Sequence, residues 1–554
     1  MTVAEIPKTQ RSKIDRIMLV AVVREKVVKR FGFKKVYHQI VEDLKKLESG
    51  IKITLPVQRL VKAGLLLHPA DNLEAHSVGG FSQSFSSGDI CRFCHIKYED
   101  LQENVHSYGS KQHSRWTKEE YDRAADIVEA NQKDQCESND SMDEDSIIDH
   151  VAESGSDNSE EDEDVSEEDD AIGTEDLFGV KHRCPLNALK AFHSTSGFPP
   201  DILHDVFEGV VSEDLLGIIR ILKAEKWFSI PQYNAALKAI SYKSYESSDK
   251  PESVPESVKV RKLVGKAVSN WTHLRNFPLI VRNFVRRNDE PALVLALQLH
   301  EVVERITASE FRDFEIVVLE EKIIEYLDAR VELRNMYPDI LGHAKPKTHN
   351  LTHYPEAIAN FGPPVTYWTA RYESRHRIAK STAESAKNFK NISLTLSTRQ
   401  QQRQSSVFYH GMFDTVELVV SDKIMYKNDM RGTTDLEKFI LPFMSEKDFI
   451  CQRVTFRSQV YSSGDIVVLE AFNPDEVKVG LVSTMLVKGD SVLFLIREYV
   501  ARRHLLRYFK GSSNDPALTV FDAKNLCDYK PLVNQGTPSQ VIFCLHHHVS
   551  TGFD

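Results

Sequence analysis

A mixed α/β chain with a helical middle and an all-β C-terminal region is predicted by three changes of pattern along the 554 residues. Up to about residue 133, strand-like and helix-like stretches alternate. From Pro200 to about Pro338, apolar residues recur at helical spacing, and from about residue 430 short runs alternate with a period of two. The opening stretch KIDRIMLVAVV is rich in β-branched residues and predicts a strand. VREKVVKRFGFKKVYHQIVEDLKKLESG predicts a helix, with Val27, Val28, Phe31, Val36, Ile40, Val41, Leu44 and Leu47 on its apolar face and Gly50 as C-cap. RLVKAGLLLHPADN reads as a buried strand ending at Asp71.

Between Asp134 and Asp176 there are about 20 acidic residues and no Lys or Arg, in Ser-acid clusters such as SGSDNSEEDEDVSEEDD. Such a stretch cannot bury enough apolar surface to fold, so residues 134–178 are expected to form a disordered acidic linker. The net charge of −11 comes from this segment, because without it about 61 acidic residues face 70 basic ones. The remainder is mildly basic, which permits a nucleic-acid partner.

The helical region begins at PPDILHDVFEGVVSEDLLGIIRILK, with Asp201 as N-cap, and continues through PALVLALQLHEVVERI and EIVVLEEKIIEYLDARVELRN. A further helix follows over TARYESRHRIAKSTAESAKNFKN. The strands QRVTFRSQVY, GDIVVLE, VKVGLVSTMLV, DSVLFLIREYV and SQVIFCLHHHV predict a small C-terminal β-barrel or sandwich. No apolar run reaches the roughly 20 residues of a membrane span, and seven cysteines are too few for a disulfide scaffold. Walker, dinucleotide, GxSxG and HExxH motifs are absent from the sequence.

Four features could carry chemistry. Asp71, at a strand end, either binds a cation through oxygen or caps a turn. Cys91 and Cys94 form a CxxC that suits a tetrahedral zinc, with His193 and His204 the preferred partners and His182, Cys184 and His95 as substitutes; two buried free thiols are the other reading. Asp201, His204, Asp205 and Glu208 recur at three- and four-residue spacing, which puts them on one helix face, as metal neighbours or as a solvated helix start. Glu373 stands among Arg371, Arg375, His376, Arg377 and Lys380, with Lys387 and Lys390 beyond. Either Glu373 is ion-paired, or it binds metal on a helix whose cations hold DNA phosphates. Trp368 and Tyr372 either stack on a base or pack the helix.

The ordered blocks ADNLEAHSVGGFSQSFSSGDICRFC, FHSTSGFPPDILHDVFEGV, KPKTHNLTHYPEAIANFGPPVTYWTARYESRHRIAK and NFKNISLTLSTRQQ together resemble the animal branch of CACTA (En/Spm-like) cut-and-paste DNA transposases, from about residue 8 onward. The resemblance implies an RNase H-like core carrying a DDE triad, interrupted by a helical insertion. Asp71 would be the second acid and Glu373 the third, together holding Mg²⁺ for phosphodiester hydrolysis and strand transfer. Asp201 and His204 match the family's Asp-x-x-His, and Cys91 and Cys94 its CxxC. Asp205 joins Asp201 as a residue supporting the site.

IPKTQRSKIDRIMLVAVV resembles the family's third strand, so the first two strands and the first acid are expected upstream and the site incomplete as given. The expected organisation is residues 1–133 as the first part of the core with the CxxC, 134–178 as linker, 179–345 as helical insertion, 346–428 as the second part of the core and 429–554 as β-barrel. The expected function is a transposase-derived DNA-binding protein. An active Mg²⁺-dependent transposase, with the first Asp supplied upstream or in trans, and a non-catalytic chromatin or protein interaction module are the alternatives. Double-stranded DNA (transposon ends) and further copies of the chain are the expected partners, without membrane or small-molecule cofactor, in the nucleus or otherwise the cytoplasm.

Overall fold

A computed structural model describes residues 17–54, 56–102, 114–139, 179–388, 390–409, 418–420, 424–513 and 515–550. The fold is mixed α/β, with the helices concentrated before residue 410 and a large antiparallel sheet after it. Most of the acidic segment expected as a linker, residues 140–178, lies outside the described residues.

Helix α1 (Glu25–Ser49) forms where the apolar spacing places it, with a kink at Gly32, whose φ of 69° favours a residue without Cβ. At its end the Gly50 amide donates to the Lys46 carbonyl at 2.9 Å. Two expected strands are corrected. Residues 17–24 of the first run form no strand among the described residues; Leu19, Val20 and Val23 are exposed, and no neighbouring strand supplies hydrogen bonds. In the second run only residues 59–61 are extended, as part of β2 (Gln58–Val61), which pairs with β1 (Ile51–Thr54) in a hairpin exposed at every position. Residues 62–71 have no regular structure, and Asp71 instead N-caps α2 (Asn72–Gly79), accepting from the Glu74 amide at 2.7 Å. Among the described residues every strand pairing is antiparallel.

Two cores lie before residue 410. The smaller joins Val41, Val78, Phe81, Tyr121, Phe192 and Phe198, with α3 (Lys118–Asn139) packed beside α2. The larger is built round α4 (Val211–Ala224), whose Leu215, Leu216, Ile218, Ile219, Ile221 and Leu222 are wholly buried. Apolar residues over most of its circumference make α4 the central helix, with Glu213, Arg220 and Lys223 left on the remaining sector. Each such side chain contributes roughly 1.5–3 kcal/mol of transfer free energy. Helices α5 (Ile230–Lys238), α6 (Ala267–Val281), α7 (Pro291–Ile306) and α8 (Asp313–Met336) surround it, together with α9 (Tyr354–Phe361) and the segment Ile90–Leu101. Inside this core Arg330 donates to the two Asp214 oxygens at 2.7 and 2.9 Å.

Helices α10 (Ala370–Ala386) and α11 (Ile392–Tyr409) pack on each other. The N-terminal stretch touches the same pair, through Gln404 on the Ile17 carbonyl and Arg24 on the Lys390 carbonyl.

The C-terminal region is β, as its period of two requires, but it is not a closed barrel. Its main sheet has nine strands, of which six run in the order β13 (Asp528–Val533), β8 (Asp465–Asn473), β9 (Glu476–Lys488), β10 (Ser491–Arg503), β11 (Phe509–Ser512), β14 (Gln540–Phe543). Strand β12 (Leu518–Asp522) pairs with β10, and β5 (Phe449–Cys451) joins β4 (Met425–Tyr426) to β9, while among the described residues β13 and β14 do not pair. A separate three-stranded sheet joins β3 (Leu418–Val420), β6 (Arg453–Phe456) and β7 (Gln459–Ser462). The open sheet is fastened to the helices by charge: buried Glu304 on α7 accepts from Arg503 at 2.9 and 3.0 Å and from Arg507 at 2.9 Å. The strand expected over SQVIFCLHHHV ends at Phe543, so the three consecutive histidines lie past β14, and His548 meets Glu315 of α8 at 3.1 Å.

Candidate metal centre and adjoining polar network

The CRFCH segment runs through the main core, burying Cys91 and Cys94. Facing it is HNLTH, in which His349 ends one helical turn (Pro346–His349) and His353 ends the next (Asn350–His353). A spacing of four puts both rings on one side of the chain. Cys91 Sγ lies 3.3 Å from His353 Nε2, and Cys94 Sγ lies 3.2 Å from His349 Nε2 and 3.8 Å from His353 Nε2. The two Nε2 atoms are 3.0 Å apart, and all four ligand atoms lie within 4.8 Å of one another.

A tetrahedral zinc with ordinary Zn–S and Zn–N lengths sets ligand-to-ligand edges of about 3.3–3.8 Å. The cluster is already near those edges, and two sulfurs with two imidazole nitrogens are a donor set zinc prefers. Electrostatics agree. Burial alone raises the Cys91 thiol, but the hydrogen bond from Cys94 and the His353 and His349 imidazoles outweigh it and hold Cys91 well below its ordinary range. Cys94, buried beside that thiolate, is pushed up. Burial lowers His353 against the pull of the Cys91 thiolate. The Phe93 amide points at Cys91 Sγ at 3.3 Å, a contact that favours a thiolate. The buried Cys2His2 cluster can therefore hold a metal such as zinc.

The expected partners of the cysteines are corrected. His193 stays in the small core, with Nδ1 2.9 Å from Thr195 Oγ1 and Nε2 3.1 Å from the Asn187 amide nitrogen. His182 bonds the Ser77 carbonyl, His95 faces Glu120 at 3.7 Å, and burial pushes the Cys184 thiol up to about 12. His204 lies between two carboxylates. The missed ligands had a readable signal, since CxxC followed by HxxxH is a zinc spacing.

Beside the cluster runs a buried polar network. Arg92, between the two cysteines and only 1% exposed, donates Nε to the Phe198 carbonyl at 3.1 Å, Nη2 to the Pro199 carbonyl at 3.2 Å and Nη1 to Asn72 Oδ1 at 2.7 Å. Asn72 donates to Asp205 Oδ1 at 2.5 Å, and Asn350, next to His349, donates to the same oxygen at 3.2 Å and to Asn72 Oδ1 at 3.1 Å. Burial raises the Asp205 carboxyl despite the pull of Arg92.

The chain beyond Asp201 starts as a π-helix (Ile202–Val210), closed by the Val211 amide on the Val206 carbonyl, before continuing as α4. The wider turn separates the residues expected on one face: Asp201 and Asp205 are buried, His204 is half-buried and Glu208 is exposed. Asp201 Oδ2 accepts from His204 Nδ1 at 2.7 Å and from Thr369 Oγ1 at 2.7 Å, and Asp201 Oδ1 accepts from the Thr369 amide at 2.9 Å. Thr369 is the N-cap position of α10, and on the first turn of that helix Glu373 Oε1 stands 3.2 Å from His204 Nε2. Burial pulls His204 down, but the hydrogen bonds and charges of Asp201 and Glu373 outweigh it and raise it to about 10. The hydrogen bond from His204 lowers Glu373 in turn. At neutral pH this is an imidazolium clamped between two carboxylates.

The structure thus joins Asp201, His204 and Glu373, and joins Asp205 to the cluster segments. Among the described residues, the one group of three or more convergent His, Cys, Asp or Glu side chains is the Cys2His2 cluster, which includes neither Asp71 nor Glu373. No group of that kind built from carboxylates supports Mg²⁺ among the described residues. Arg371, Arg377, Lys380, Lys387 and Lys390 are exposed and Arg375 is half-buried, while α10 buries none of its residues. Trp368 packs edge-on to Phe207, with ring centroids 6.1 Å apart. No described helix is long and apolar enough to cross a membrane.

No protein-family model matches the chain, and no curated protein matches it.

Proposed function

We propose that the chain is a transposase-derived, double-stranded-DNA-binding protein of the nucleus, related to CACTA-type transposases. The observation that carries the DNA reading is the α10–α11 pair. Between residues 370 and 409 it has eight Arg or Lys against two Glu, on an α10 that buries nothing. An exposed helix pair on which cations outnumber acids eight to two suits phosphate oxygens. In this reading the segment up to residue 133 and the helix of Glu373 descend from an RNase H-like core, with Asp71 and Glu373 as its second and third acids. An active Mg²⁺-dependent transposase is the weaker reading, because the His204 imidazolium already occupies Glu373 and a cation there must displace it.

The test is the affinity of the full chain for a short DNA duplex as salt is raised, for the native protein and for Arg377→Gln/Lys380→Gln/Lys387→Gln/Lys390→Gln. Each phosphate contact contributes about 0.9 to the slope of log K against log salt, so the variant's slope should be shallower by about 3.6. From about 50 to 200 mM salt those contacts alone are worth roughly 150-fold in affinity. An unchanged slope refutes α10 as the DNA surface.

A further inference from the structure

We infer that Arg92 and Asn350 are positioning residues that transmit the state of the Cys2His2 cluster to the start of α10, so that metal binding sets the placement of this helix. The inference rests, for its consequence in DNA binding, on the reading of α10 given above. Each residue is adjacent in sequence to a cluster ligand: Arg92 to Cys91, and Asn350 to His349. A metal joining the four ligands fixes the two segments relative to each other, although they are more than 250 positions apart in the chain.

The path from there is continuous. Arg92 holds the Phe198 and Pro199 carbonyls, three and two residues before Asp201, and reaches Asp205 through Asn72. Asn350 reaches Asp205 directly, and Asp205 Oδ2 accepts from the Asp201 amide at 3.2 Å. Asp201 then binds the Thr369 amide and hydroxyl where α10 begins, and His204 bridges Asp201 to Glu373 one turn on. Because α10 buries no residue, these polar contacts at its first turn contribute a large share of its anchorage. A buried guanidinium keeps its place only while its donors are satisfied, so a shift of the CxxC segment propagates along this route.

The test is amide hydrogen exchange on the zinc-loaded full chain, with zinc content measured in parallel, for the native protein, Arg92→Gln and Asn350→Ala. Residues 370–386 should exchange about tenfold faster in both variants with one zinc still bound, while α7 and α8 keep their native protection. Removing zinc from the native chain should accelerate residues 370–386 as well. Unchanged exchange at 370–386, or equal acceleration in α7 and α8, overturns the inference. Should both variants lose zinc, Asp205→Asn, which lies outside both ligand segments, takes their place with the same two outcomes. DNA affinity is measured on the same samples. Faster exchange without weaker DNA binding supports the coupling and refutes α10 as the DNA surface, so the two readings fail separately.

Discussion

The Asp201–His204–Glu373 clamp makes stability depend on pH in a direction that can be worked out. His204 is raised from its ordinary 6.5 to about 10 in the folded chain. Its stabilising contribution is therefore fully present below about pH 6.5 and is lost as pH rises through about 10. Between those values the folded state carries one more proton than the unfolded state, and stability falls by up to about 1.4 kcal/mol per pH unit. The undiscounted shift corresponds to about 4.8 kcal/mol. Glu373, however, is 43% exposed in its side chain, and solvent screens its half of the clamp. A figure of about 2 kcal/mol is the reasonable expectation. His204→Gln should therefore destabilise the chain by about 2 kcal/mol near pH 6 and by almost nothing near pH 10. The direct assay is a pH titration of the histidine imidazoles by NMR, with the His204 signal assigned by its disappearance in His204→Gln. An imidazole that titrates near 6.5 would refute the clamp.

Three further outcomes follow from the geometry. The purified chain should hold one zinc and Cys91→Ser none, as read by elemental analysis; a full complement in the variant would show that the metal sits elsewhere. Glu304→Gln leaves Arg503 and Arg507 without their buried carboxylate and should cost about 3–5 kcal/mol, seen as early protease cleavage between the helices and the sheet. Because those arginines hold Glu304 well below its ordinary range, against a burial effect that alone would raise it, the native contact should weaken only as pH falls through that depressed value. At Gly80, with φ of 80° and a Cβ that would come 1.9 Å from the His182 carbonyl oxygen, Gly80→Ala should cost roughly 3 kcal/mol or more by thermal denaturation.

Local periodicity made much of this fold legible. Helices α1, α4, α7 and α8 lie where apolar spacing put them, and Asp201 caps the turn after Pro199 and Pro200. The errors fall where local pattern is ambiguous. A short apolar run such as LLL fits a buried strand or an irregular segment packed on a core, and Leu65 does the latter. Asp71 followed three positions later by Glu74 is itself a helix-start spacing, and the structure uses it so. Barrel closure depends on whether β13 and β14 meet, which a period of two does not encode.

The candidate site is half visible in the sequence. Cys91 and Cys94 announce a ligand pair, and HNLTH has the spacing to complete it, but a separation of more than 250 positions hides that the two motifs meet. Asn72, Arg92, Asn350 and Thr369 carry no local signature, since their importance lies wholly in contacts between distant segments.

That the two halves of the Cys2His2 cluster are so widely separated also bears on how the chain is made. His349 follows Cys94 by 255 positions. At about 5–20 residues per second, a ribosome needs roughly 13–50 s to cover that distance. For that interval the cysteines are in the cell without their histidines, open to chaperones, stray metals and oxidants. The cluster can close only after most of the helical core has been synthesised, so a metal bound there would be captured late, as a checkpoint on a finished fold rather than as a seed for it.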